Sequence, residues 1–466
     1  MPPDSLQSSA LKEKNFFEMK IGVKLLVILS IPFLFQTCSN DDPDPQPINE
    51  TQKTLPAHWA DVTLRTIQFT FPNSPTYTSR SLGYIGLTMY ESVVYGKATN
   101  KSMAGQLNGL GSLPEPDLSK EYNWSLSLNA GQASILKSLY PHAQPDIVKL
   151  IDSLESATYE ASMFTTETEV AQRSIQFGRA VAQAIYDWAK TDGGHEGYLH
   201  HFDPDYMFPS GNGYWIPPSF GQSASRFPLH PYWGSNRTFI SANAALPVPE
   251  ILPFSTDPTS GHYNLFNEVY LKRKSLTEEE MRIAAWWADD PTQTASPPGH
   301  SYNLATIAIT SAGADIFTAA EAYAKVGMAV ADAFICCWKV KYTYHSERPF
   351  PYIRAHIDPQ YIQFWPEPPF PAFSSGHATQ SAATAVALTS VFGNTFPLVD
   401  NTYEKRLPDF NNIEYRSRKY KNIQATATEC AHSRFLGGIH TRQDNETGGQ
   451  QGDAIGHNVA NLIWKK

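Results

Sequence analysis

The stretch from Ala314 to Lys341 is long, Ala-rich and apolar. Within it, Val326–Trp338 comes nearest to a membrane span, but it carries Asp332. A bilayer span needs roughly 20 apolar residues and tolerates a carboxylate poorly, so the segment reads as a helix of a soluble body. Other segments share its helical period. Ser79–Tyr95 places Leu82, Ile85, Met89 and Val93 on one face, and Thr168–Lys190 does so with Ile175, Val181 and Ile185. Thr277-Glu278-Glu279-Glu280 is a capping box for a helix to about Trp287. Ser375–Phe392 is a second Ala-rich helix, and Glu446–Trp464 reads as the last one. Strand signals are few, which makes the fold mostly α. The 35 prolines require long ordered loops between the helices. One of these, Asp203–Ser235, holds Tyr214-Trp215-Ile216-Pro217-Pro218 and Pro231-Tyr232-Trp233-Gly234, the composition of a lid or of aromatic packing over a core. The formal net charge is -9 and no basic run occurs, which excludes a nucleic-acid partner.

The amino-terminal segment has a separate character. Lys20 and Lys24 precede an apolar run, Leu25–Phe35, broken only by Ser30. The run suits a signal-peptide core and is too short to span a membrane. It ends at Phe35-Gln36-Thr37-Cys38, followed by Ser39-Asn40-Asp41-Asp42. The pattern resembles a bacterial lipoprotein signal with Cys38 lipidated, and the acidic stretch resembles surface-export signals of Bacteroidetes. An exported periplasmic or cell-surface lipoprotein of a Gram-negative bacterium is expected, touching a membrane only through that lipid. Residues 1–18 read as upstream sequence, residues 1–38 together as the signal segment and residues 39–54 as a Pro-containing tether. Residues 55–270 read as an amino-terminal helical region and residues 271–466 as a carboxy-terminal helical core.

Chemistry concentrates in three segments of that core. In Lys341-Tyr342-Thr343-Tyr344-His345-Ser346-Glu347-Arg348-Pro349, Lys341 and Arg348 lie seven apart. If the helix persists they share one face, where two cations need a common anion or water. Phe373-Ser374-Ser375-Gly376-His377 opens a helix, with Ser375 as cap and free N–H groups at the positive end of the dipole, an anion-binding arrangement. A plain N-cap accounts for Ser375 as well. His377 fits there when neutral, and as a cation only beside an anion. In Ser433-Arg434-Phe435-Leu436-Gly437-Gly438-Ile439-His440-Thr441-Arg442-Gln443-Asp444, His440 precedes Asp444 by four, so the carboxylate can fix the imidazole tautomer and free its other nitrogen to ligate or attack. Together these groups suit a tetrahedral oxyanion of several charges.

The three segments resemble the signature of the superfamily of vanadium-dependent haloperoxidases and type 2 phosphatidic acid phosphatases: Lys-x6-Arg-Pro, Pro-Ser-Gly-His and Ser-Arg-x5-His-x3-Asp, in that order. Ser374 in place of the proline is the one departure. Trp286–Asp290 and Thr294–His300 resemble the segment preceding the site in bacterial members. The resemblance implies an all-α fold of haloperoxidase-type helical bundles and a vanadate cofactor. His440 would bind vanadium. Lys341, Arg348 and Arg434 would neutralise the oxyanion's equatorial oxygens, and Ser375 and Gly376 would hydrogen-bond them. His377 would be the acid–base residue and Asp444 would orient His440. Trp338 and Phe370 match positions lining the halide side.

Two reactions fit such a cage, because vanadate and phosphate share shape and charge. One is oxidation of iodide, bromide or chloride by hydrogen peroxide to a hypohalous-acid-type species that halogenates a small organic acceptor. The other is phosphate-ester hydrolysis through a phosphohistidine on His440. The lipid phosphatases are short and built from membrane spans, and the soluble ones are about half this length, so the long soluble amino-terminal half favours the peroxidase. Gly194–His201 lacks the spacing of a zinc-protease helix. Cys336, Cys337 and Cys430 read as buried thiols, with a bridge to Cys430 as the alternative.

Overall fold

The computed structural model describes residues 54–408 and 411–466. The signal, the Cys38 lipid site and almost all of the tether lie outside the described residues. Among the described residues the α-helices run Leu55–Phe69 (α1), Pro75–Glu91 (α2), Trp124–Leu139 (α3), Pro145–Ser162 (α4), Thr168–Ala189 (α5), Ser241–Ala244 (α6), Gly261–Lys274 (α7), Glu278–Trp286 (α8), Ser296–Ser311 (α9), Ile316–Tyr344 (α10), Pro349–His356 (α11), Gly376–Phe392 (α12), Ile423–Leu436 (α13) and Arg442–Ala460 (α14). A single two-stranded antiparallel ribbon pairs Leu398–Asp400 (β1) with Arg418–Tyr420 (β2), with Asp400 opposite Arg418.

α10 is the axis of the molecule. Asp315 caps it by accepting from the Thr318 N–H at 2.7 Å. It packs along α2 on one side and along α12 on another, so residues 55–270 and 271–466 contribute to one continuous core. At Gly327 the α10 backbone lies against the Leu82 carbonyl of α2, where any Cβ would collide. The same device sets α14 against α12: a Cβ on Gly452 would collide with the Thr379 carbonyl. That close approach carries the start of α14, with His440 and Asp444, up to the start of α12, with Ser375 and His377. The Asp332 charge within the apolar run is buried and met by three donors: Phe239 N at 2.6 Å, Ile240 N at 3.1 Å and Asn243 Nδ2 at 2.7 Å. No described helix is long and apolar enough to cross a membrane.

Two expectations need correction. α10 does not persist to Arg348. It ends at Tyr344, His345 takes a left-handed conformation (φ 50°), and Arg348 becomes the extended N-cap residue of α11. The physical reason is Pro349, which disfavours helical backbone at the residue before it and sits well in a helix's first turn. α14 begins at Arg442 rather than Glu446, because Thr441 and Asp444 form a capping box in which each side chain meets the other's backbone N–H. The three described cysteines are free and buried.

Candidate active site

The site is assembled from the ends of helices. α10 supplies Trp338 and Lys341, the N-cap of α11 supplies Arg348, and the start of α12 supplies Ser375, Gly376 and His377. The last turn of α13 supplies Arg434, and the approach to α14 supplies His440 and Asp444. The structure brings all of these together, with Phe370, around one end of a cavity of about 510 Å³. Trp338, Phe370, Gly376, His377, Arg434 and His440 line it. Lys341, Arg348, Ser375 and Asp444 sit behind that wall.

His440 is 3 % exposed, and its Nδ1 lies 3.1 Å from Asp444 Oδ2. A carboxylate only accepts, so Nδ1 carries the proton and Nε2 keeps its lone pair. The same Asp444 oxygen accepts the Thr441 N–H at 2.8 Å, so one capping box also fixes the imidazole. Burial, then the charges of Arg348, Lys341 and Arg434, drives the His440 pKa well below 6.5. A neutral imidazole with a free Nε2 is the form that ligates a metal.

Three cations surround it. Arg348 donates to Phe370 O at 3.0 Å through Nε and to Ile439 O at 2.9 Å through Nη1, which also lies 3.2 Å from His440 Nε2. Arg434 donates to Trp287 O at 2.6 Å, while its buried Nε has no partner. Lys341 directs Nζ at three carbonyls, those of Pro371, Ala372 and Ser374, at 2.8, 2.7 and 2.6 Å. Its protons thus lace the loop before Ser375 to α10. Burial pulls the ammonium down to about 7 and the Arg348 guanidinium down to about 10, and lowers Arg434 too. None of the three pairs with a carboxylate among the described ion pairs.

Ser375 caps α12, accepting the Ala378 N–H at 3.4 Å, and its own N–H reaches the Asp444 carbonyl at 3.0 Å. His377 has a buried Nε2 without a hydrogen-bond partner, 3.9 Å from Asp289 Oδ2. Burial first, then Arg434, His300 and Lys341, hold its pKa well below 6.5. The Trp338 and Phe370 rings meet at 4.9 Å, and Lys341 Nζ and Arg348 Cζ each lie 5.2 Å from the Phe370 centroid.

The aromatic loop forms the facing wall. Its Trp215, Gln222 and Leu229 N–H groups donate to the carbonyls of His345, Glu367 and Pro369 at 2.7, 2.8 and 2.8 Å. His201, Phe202, Gln222, Ser223 and Leu229 line the cavity. Sequence reasoning assigned no role to Asp289, Asp290, His300 or Asp400. Asp289 and Asp290 also line the cavity, and His300 lies buried between Asp289 and Asp400. The proximity of the first three to one another in the chain was a signal. Asp400 arrives on β1 and left none.

An all-α body with a buried cation cluster around an unprotonated imidazole nitrogen defines an oxyanion-binding helical enzyme class. The model of the VCPO second helical-bundle domain matches residues 321–368 and 358–465. A bacterial vanadium-dependent iodoperoxidase of known structure is 30% identical, over 90% of this chain and 97% of that one, with a TM-score of 0.74. A bacterial vanadium-dependent chloroperoxidase shares the fold at 14% identity, 84% and 94% coverage and TM-score 0.63 in its apo form. Its holo form gives 15%, 91% and 99%, and 0.65. No curated protein matches the chain significantly. The chain belongs to the vanadium-dependent haloperoxidase family.

Proposed function

We propose that this chain is a vanadate-dependent haloperoxidase that oxidises halide with hydrogen peroxide, iodide foremost. The observation that carries the reading is the buried cage of Lys341, Arg348 and Arg434, unpaired with any described carboxylate and closed by His440, whose unprotonated Nε2 faces Arg348 Nη1 at 3.2 Å. Burying three cations costs several kcal/mol each unless an anion shares the space. The orphaned Arg434 Nε is a donor awaiting an acceptor. The residues present therefore fit vanadate. Arg348 and Arg434 would hold its oxygens with Lys341 behind them, the Ser375 and Gly376 end of α12 would add donors, and His440 would ligate the metal.

Bound vanadate supplies a Lewis-acidic centre that activates hydrogen peroxide for oxygen transfer. The protein's part is positional and protonic. Asp444 keeps the His440 tautomer fixed. His377, neutral on the cavity wall with no hydrogen-bond partner at Nε2, takes and returns a proton there. Trp338 and Phe370 give the adjoining wall an apolar face for a polarisable anion, with two cations within 6 Å of the Phe370 ring. The 30%-identical relative is an iodoperoxidase, and iodide is the most readily oxidised of the three halides. The cavity volume leaves room for a small organic acceptor beside the cage.

The test is an assay of metal-stripped protein with and without orthovanadate, reading peroxide-dependent oxidation of iodide, bromide and chloride beside phosphate release from a phosphomonoester. Halide oxidation appearing only with vanadate and peroxide, fastest with iodide, is expected. Phosphate release inhibited by vanadate, with no halide oxidised, would replace this reading with the phosphatase one.

Export and lipidation at Cys38 belong to the same proposal, supported by Leu25–Phe35 and the cysteine that follows it. Cys38→Ala should move the protein from the membrane fraction to the soluble one. Identical fractionation of both forms would remove the lipid from the account.

A further inference from the structure

Beside the cage runs a chain of buried ionisable side chains that the reading above does not use. His300, in the second turn of α9, is about 1 % exposed at its side chain and is gripped at both nitrogens. Its Nδ1 lies 2.9 and 3.2 Å from the two oxygens of Asp289, and its Nε2 lies 2.8 Å from Asp400 Oδ2. Both partners are acceptors, so both ring nitrogens carry protons and His300 is an imidazolium. Burial opposes that charge, but Asp289 and Asp400 hold its pKa up at about 10.

Each carboxylate is itself fixed. Asp400, at the end of β1, accepts from Trp286 Nε1 at 2.8 Å and Thr402 N at 3.0 Å. Asp289 accepts from the Tyr403 hydroxyl and sits in a left-handed conformation, φ 53°. The Trp287 ring stacks on His300 at 4.4 Å. Asp289 Oδ2 then faces His377 Nε2 at 3.9 Å, on the cavity wall. Hydrophobic residues of similar volume often serve stability as well as a buried ionic cluster does. A line of charge that ends on a cavity histidine whose Nε2 has no hydrogen-bond partner suits a proton-handling role better.

We propose, resting on the haloperoxidase reading, that Asp400 and His300 are positioning residues that hold the Asp289 carboxylate against His377 and so set how readily His377 takes up a proton. The titratable and charged groups that bear on His377 are Asp289 and His300 of this cluster, Arg434 from α13, Lys341 from α10 and His440 on the approach to α14. Those on Asp289 are His300, Tyr403 and His377, with Asp290, Cys430 and Arg434 beyond.

The two positioning residues have opposite charges, and this gives the test its sign. In Asp400→Asn the cluster loses a negative charge, so His377 is harder to protonate and its limb of the pH–rate profile moves to lower pH. In His300→Gln the cluster loses a positive charge, and the limb moves to higher pH. Both variants of the full chain, loaded with vanadate, should lose about 10–100-fold in kcat while vanadate affinity changes little, the scale seen for outer-shell partners. A merely structural role would move both limbs the same way or neither, and either result overturns the proposal. Nitrogen-15 NMR of histidine-labelled, vanadate-free wild-type protein needs no variant to fold. It should find His300 doubly protonated at pH 8 and His377 neutral, and a neutral His300 there would also overturn the proposal. If the wild-type protein oxidises no halide, the haloperoxidase reading falls, while the imidazole signals still decide the positioning claim.

Discussion

His440→Ala is expected to abolish stable vanadate binding. The variant removes the one imidazole whose Nε2 keeps a lone pair inside the cage, beside Arg348 Nη1 at 3.2 Å. The cations remain, so an oxyanion is still attracted, but by hydrogen bonds and charge alone. Altering outer partners of a metal ligand costs about 10–100-fold in affinity, so losing the ligand itself should cost on the order of 100-fold or more. Equilibrium dialysis against vanadate measures this directly. Phosphate, which needs no coordinate bond, should lose far less, and that contrast separates a lost ligand from a collapsed cage. Wild-type vanadate affinity in the variant would sink the ligand assignment.

His377→Ala should separate turnover from cofactor binding. The side chain makes no described hydrogen bond through Nε2 and lines the cavity. Its removal leaves Arg348, Arg434, Lys341 and His440 in place, so vanadate should still bind. A positioned acid–base group contributes about 10²–10⁴-fold, and kcat should fall within that range. The pH dependence carries the sign. Burial and neighbouring cations hold the His377 pKa well below 6.5 in the vanadate-free protein. An oxyanion offsets the charges of Arg434 and Lys341, so vanadate should raise that pKa. Full activity in the variant, or a His377 titration that vanadate leaves unmoved, would refute the acid–base role.

Much of the site was legible because its chemistry is local. Ser375-Gly376-His377 is a helix start, and the His440–Asp444 spacing spans a single turn. Pro349 restricts the backbone of Arg348 whatever surrounds it. Each carries its own stereochemistry into the fold, through a cap, a dipole or a forbidden backbone region. The helices were legible for the same reason: Thr277–Glu280 and the Ala-rich runs state their period without help from distant residues. The extent of α10 was harder to read, because heptad spacing alone made Lys341 and Arg348 look like neighbours on one helix.

What the sequence determined, then, is the list of groups and their local geometry: which side chains cap, which carry charge and which imidazole has a carboxylate one turn away. Tertiary structure alone decided how they meet. Contact between α14 and α12 at Gly452 sets the distance from His440 to Ser375, and the turn after Tyr344 sends Arg348 toward His440. Asp400 reaches His300 across one hundred residues because β1 crosses the face of α9. No spacing along a chain encodes such a meeting, since it depends on how far two backbones can approach and on which buried charge each must find.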